Sequence, residues 1–181
     1  MKVLTVKPLI EREEALKKLK KLRKGTLKAV ELLYLPFWCF IFDLKAKIKK
    51  EVRNLRAAVV IDGVLGEVAL YDGELSDLEG NLSEVDEEKL LPVEINLDRK
   101  KIVEEANKEL AKVVYRKLKF VSDMSLTSSK LIYFPFWIGY FHEKGLIQID
   151  IVNAVSGETS NPWCIRAIIR GLVMKHLHKS P

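Results

Sequence analysis

Between Phe40 and Lys49 apolar and polar positions alternate with a period of two. Phe40, Phe42, Leu44, Ala46 and Ile48 fall on one side, and Asp43, Lys45, Lys47 and Lys49 on the other. That period predicts a strand with one dry face and one basic face. A turn around residues 50–54 and the run Arg56–Ile61 complete a hairpin. Asp62-Gly-Val-Leu-Gly66 reads as a tight reversal into a short third strand, Glu67–Tyr71, because its glycines accept positive φ. Ahead of the hairpin, residues 9–24 switch to helical spacing. Leu16, Leu19 and Leu22 recur every three residues, glutamates crowd the first turns, lysines the last, and Gly25 supplies the stop.

The same grammar returns downstream. Val93–Leu97 predicts a short strand like that of Val3–Val6 at the amino end. A helix follows from Asp98, a good N-cap, to about Lys117, with Ile102, Ala106, Leu110, Val113, Val114 and Leu118 as its apolar stripe. Residues 125–129 form a polar connection, and strands over 131–142 and 146–152 close in Asn153-Ala-Val-Ser-Gly157-Glu158. The tail departs from this order. Asn161-Pro162 is a cap followed by a first-turn proline, and residues 163–178 are apolar almost all round. Such a helix is expected to fill a groove or to pair with another subunit, giving a homo-oligomer.

Each long strand opens on one bulky word, Tyr34-Leu-Pro-Phe-Trp38 and Tyr133-Phe-Pro-Phe-Trp137. The offset is 99 residues from Trp38 to Trp137 and 91 from Gly66 to Gly157, so the first hairpin is eight residues longer. The pattern predicts an internal duplication. The expected fold is α+β: two tandem α-β-β-β units with antiparallel sheets, over 1–71 and 93–160, joined by an acidic linker, 72–92, and followed by an apolar helix, 161–181.

Charge adds one feature. Residues 1–71 carry 16 basic and 8 acidic side chains, 72–98 carry 1 and 10, and 99–181 carry 14 and 7. Two basic halves flank an acidic segment, which either lies across a basic face of the same molecule or leaves that face for nucleic acid. The cations placed for the second use are Lys45, Lys47, Lys49, Lys50, Arg53 and Arg56, on the solvent face of the first hairpin. With 31% charged residues, mostly Lys and Glu, and a single glutamine, Gln148, the composition suits a thermophile. No run approaches the ~20 apolar residues of a membrane span, and the amino end lacks a signal peptide, so a cytoplasmic protein is expected.

Chemical signatures are few. Cys39 and Cys164 sit apart in apolar runs, and His142, His176 and His178 show no ligand spacing, so neither a metal nor a cofactor is expected. Gly63 and Gly66 lead into a strand rather than a helix, unlike a phosphate loop. The aromatic words remain. Their rings either fill two equivalent cores or line a symmetric groove, with Trp38 and Trp137 as walls and Tyr34 and Tyr133 offering hydroxyls.

A helix followed by a meander that closes on Asn-Ala-Val-Ser-Gly-Glu resembles the cystatin-like and PepSY-type α+β units. PepSY hairpins of the form Asp-Ala-x-Thr-Gly-Glu are similar to Asn153–Glu158 and, more loosely, to Asp62–Glu67. The resemblance implies a binding or inhibitory module rather than an enzyme, and transfers no site residue. The expectation is therefore a non-catalytic binding or protein-interaction module, with a small ligand or a protein as partner. The alternative is a nucleic-acid binder.

Overall fold

The computed structural model describes residues 1–48, 50–95, 98–117, 121–159 and 161–179. Its elements run β1 (Lys2–Thr5), α1 (Arg12–Leu22), β2 (Thr26–Ile48), β3 (Glu51–Asp62), β4 (Val68–Leu70), β5 (Asn81–Glu84), α2 (Arg99–Lys117), β6 (Val121–Glu143), β7 (Leu146–Asn153) and α3 (Pro162–Lys179), with short 3-10 turns at Leu75–Glu79 and Glu87–Lys89. The class is α+β, with a mostly antiparallel sheet and a C-terminal helix. The strands form one sheet in the order β4-β3-β2-β6-β1-β5, and β7 pairs with the remaining length of the outer edge of β6.

One sheet replaces the expected two because the aromatic words pair with each other. β2 and β6, 23 residues each, run antiparallel along almost their whole length. Tyr34 lies opposite Pro135, Leu35 opposite Phe134, and Pro36 opposite Tyr133. The prolines have no N–H to donate, yet their carbonyls are used. Gly63 N–H donates to Pro36 O at 2.7 Å, and Ala154 N–H donates to Pro135 O at 3.0 Å.

Each half also reaches across to the other. Val6 N–H donates to Tyr133 O at 3.1 Å, fastening β1 to β6, and Leu91 N–H donates to Tyr34 O at 3.0 Å. The chain before α1 is held by the loop of the second hairpin, where Leu9 and Ile10 N–H donate to Ala154 O. The chain before α2 is held by the first, where Glu94 and Ile95 N–H donate to Gly63 O. In consequence α1 packs over β6 and β7, and α2 packs over β3 and β4. No helix lies on the hairpin that directly follows it in sequence.

Period two then sorts the core. Odd positions of β2 (Leu33, Leu35, Phe37, Cys39) and even positions of β6 (Ile132, Phe134, Phe136, Ile138) form the largest cluster, which α3 covers with Cys164, Ala167 and Ile168. Trp163 stands edge-on to Phe37, and Phe37 to Phe134, with centroids 5.7 and 5.2 Å apart. On the opposite face α2 covers Phe40, Phe42, Leu44, Val59 and Ile61 with Ile102, Ala106, Leu110 and Val114. α1 covers Phe141 and Val152 with Leu19. Its carboxyl end is pinned where Arg23 donates to Asp150 and Gln148 of β7.

Residues 72–92 read as a linker but are fastened along their length. Leu78 and Leu91 are buried, β5 pairs with β1, Tyr71 hydroxyl donates to Asp77, and Lys130 and Lys175 donate to backbone carbonyls of Glu79, Glu88 and Leu90. The strand expected at Val93–Leu97 does not form over Val93–Ile95, and residues 96–97 lie outside the described residues. Its role falls to Leu90, which bridges Tyr34.

Candidate functional site

The four aromatics singled out in the sequence share one face of the central ladder, since Tyr34, Trp38, Tyr133 and Trp137 all oppose the face of Leu35 and Phe134. They divide among three clusters. Tyr34 and Tyr133 meet Val85 and Leu90 at the centre, Trp38 joins the α2 cluster, and Trp137 joins the α1 cluster. Burial pushes the pKa of both tyrosines up, because a phenolate would lose its hydration there. Trp137 Nε1 donates to Ile10 O at 2.8 Å, locking the start of α1 to β6. Trp38 Nε1 is buried with no partner among the described residues. Instead of converging on one groove, the rings act as three separate packing centres.

The six cations proposed for nucleic acid are also separated. Lys45, Lys47, Lys50, Arg53 and Arg56 are exposed, and Lys49 lies outside the described residues. Lys45 pairs with Asn54, Lys47 with Val52, and Asp43 with Arg56, so these share the α3 side of the sheet. Arg53 pairs with buried Ala46 and therefore points to the α2 side. The reason is the register, for the hairpin turns at residue 50 rather than around 50–54, which shifts the face of Arg53. Each arginine also has a carboxylate. Arg56 Nε lies 2.9 Å from Asp43, and an Arg53 guanidinium nitrogen lies 3.1 Å from Glu51.

Two open clefts lie on the α3 side, at opposite ends of the long ladder. One, about 640 Å³, is lined by Asp43, Lys45, Asn54, Arg56, Asp123 and Ser125, so both charge signs face it. The other, about 350 Å³, is lined by Lys28, Tyr140, Phe141, His142 and Ile147. There the Tyr140 hydroxyl donates to Glu31, and burial followed by that bond holds the phenol protonated well above its ordinary range. Among the described residues no group of three His, Cys, Asp or Glu side chains converges as a metal site. No helix among them is long and apolar enough to cross a membrane.

Sequence reasoning gave the tail helix its apolar character but not its orientation. Cys164, Ala167, Ile168 and Gly171 face the sheet. Ile169, Val173 and Leu177, spaced four apart, face water at 43%, 47% and 62% exposure. At 100° per residue these three form one ridge on the side away from the core. Arg166 flanks it, 2.7 Å from Glu67, and Arg170 is exposed beside it.

Comparison with protein-family models, with curated proteins and with solved structures finds no match to the chain.

Proposed function

We propose that the chain is a non-catalytic protein-interaction module, built by internal duplication, whose contact surface is the outward ridge of α3. The duplication draws support from the hydrogen bonds that recur at matching positions of both halves. Asp62 N–H to Glu67 O is matched by Asn153 N–H to Glu158 O, at 3.0 and 2.8 Å. Gly66 and Gly157 take positive φ of 79° and 74°. Leu35 opposite Phe134 brings the second residues of the two words together.

The observation that carries the function is the ridge Ile169–Val173–Leu177. Its helix has already spent one side on the core, so a second apolar side does not serve folding. Contiguous apolar surface of this kind is a mark of a contact site. A narrow apolar ridge along an exposed helix suits an amphipathic helix laid beside it.

A photo-reactive residue in place of Ile169, introduced in the organism that makes the protein, tests this. A discrete adduct is expected at 169 and none from the same residue in place of Lys108, which is exposed on α2. An adduct pattern identical at both positions would count against α3. So would an Ile169→Asp variant that unfolds, because the ridge would then belong to the core.

A further inference from the structure

The two hairpins end differently, and the difference leaves a strand position open. Beside β3, the chain returns as β4: Ile61 pairs with Val68, Val60 with Ala69 and Val59 with Leu70, and Tyr71 N–H then donates to Ala58 O at 2.8 Å. Beside β7, the return begins the same way, with Val152 bridging Thr159. There it stops. Pro162 starts α3, and the chain leaves the sheet.

The outward groups of β7 follow from its hydrogen bonds. Asn153 N–H points outward, since it donates to Glu158 O. Backbone groups alternate sides, so those of Ile151, Ile149 and Ile147 point outward as well. Among the described residues no hydrogen bond reaches the outward groups of Ile147 or Ile149. Sheet edges are ordinarily blunted by lysine, proline, a bulge or a covering element. The edge Leu146-Ile-Gln-Ile149 has none of the first two, and Leu146 and Ile147 are 64% and 74% exposed.

We infer that the outer edge of β7, from Leu146 to Ile149, pairs antiparallel with the same edge of a second copy of this chain. With the twofold axis at Gln148, Ile147 of each copy faces Ile149 of the other. The outward N–H and C=O groups of those residues then form four hydrogen bonds. The isoleucines share the face of Tyr140 and extend the apolar shelf of the smaller cleft. On the other face the two Gln148 side chains meet at the axis. Arg23 already donates to the Gln148 carbonyl oxygen, which leaves the amide NH₂ to reach across. No like charges face each other in this register, and the pattern is its own complement, so a second copy suits the edge. A ladder this short covers less than the ~800 Å² per partner of a stable interface, which places the contact in the transient class.

Sedimentation velocity of the full chain, from micromolar to millimolar concentration, tests the pairing. The wild type should pass from monomer to dimer. Amide exchange at Ile147 and Ile149 should slow at least about tenfold at the dimeric end. Ile147→Pro removes only an outward donor and Ile147→Lys blocks the edge with charge. Both should stay monomeric with an unchanged thermal midpoint, while Leu82→Lys on exposed β5 should dimerise like the wild type. A wild type monomeric throughout would overturn the proposal, as would a dimer that survives both Ile147 variants, or a monomer that captures an added strand peptide. Dimerisation abolished only by Ile169→Lys with Val173→Lys would also overturn it, while leaving the α3 contact surface standing.

Discussion

Leu35 stands directly opposite Phe134 on the buried face of the longest ladder, and each is the second residue of its aromatic word. The pair is unequal in volume, so its two positions should be coupled. Leu35→Phe alone overpacks a fully buried site and should cost about 1–3 kcal/mol. Phe134→Leu alone leaves a void and should cost about 1–2 kcal/mol. The double exchange should return at least about 1 kcal/mol of the combined loss, measured by urea unfolding. Strict additivity would contradict the packing described for the centre of the sheet.

Asp62 and Asn153 hold matching turns with different acceptors. Asp62 is fully buried and takes the N–H groups of Val64, Leu65 and Glu67 at 2.8–3.0 Å. Among the described residues the Asn153 side-chain oxygen takes the N–H groups of Val155 and Ser156, while Ser156 Oγ serves Glu158 N–H. Asp62→Asn therefore turns an amide NH₂ toward the Glu67 N–H and should cost about 1–3 kcal/mol. Asn153→Asp keeps every acceptor and should cost less. The order of the two thermal midpoints decides the matter.

The reciprocal docking of α1 and α2 predicts how a cut chain behaves. Asp72 and Gly73 are exposed, so a protease site placed between them should be cleaved in the folded protein. The halves should then co-elute in native buffer and separate only in denaturant. Halves that elute apart without denaturant would be incompatible with α1 lying on β6 and β7.

Both thiols lie in the core under α3. Burial pushes the Cys164 thiol up to about 12, with Asp62, Glu158 and Glu67 adding to the shift, and burial holds Cys39 protonated still more strongly. Neither should react with a disulfide reagent at pH 8 until the protein unfolds. An acid whose pKa is raised by folding keeps its proton in the native state and loses it in the unfolded one. The associated stability is thus full below the unfolded thiol pKa of ~8.5 and declines as pH rises toward 12. A denaturation series over that range should show the decline, and Cys164→Ser should make it shallower.

The helices and the first hairpin were legible because their signals are local. The spacing of Ile102, Ala106 and Leu110 names the buried side of α2, and the Gly66 and Gly157 turns name where β3 and β7 end. Pairing was not legible. Alternation in Tyr34–Trp38 says which side of a strand is dry, not that its neighbour is the other copy of the same word. β6 begins at Val121, ten residues ahead of the apolar run, because its polar start is held by the far end of β2 rather than by a core. Residues 72–92 have no period at all, since Leu78, Val85 and Leu91 each anchor singly. The aromatic site followed the same division. Its four residues could be picked from the text, but their separation into three clusters depends on which helix lands on which hairpin.

That landing pattern sets an order of events at the ribosome. When β2 and β3 have emerged, the surface that α1 will cover has not been synthesised, and the helix able to cover the hairpin is still dozens of codons away. Native pairing must await β6, whose partners in β2 lie 75 to 116 residues upstream, from Ala46–Val121 to Thr26–His142, and contacts so distant in sequence slow folding and lengthen exposure of unpaired edges. A nascent chain of this design depends on what shelters its first half, and codon choice between β3 and α2 is where that waiting time would be tuned.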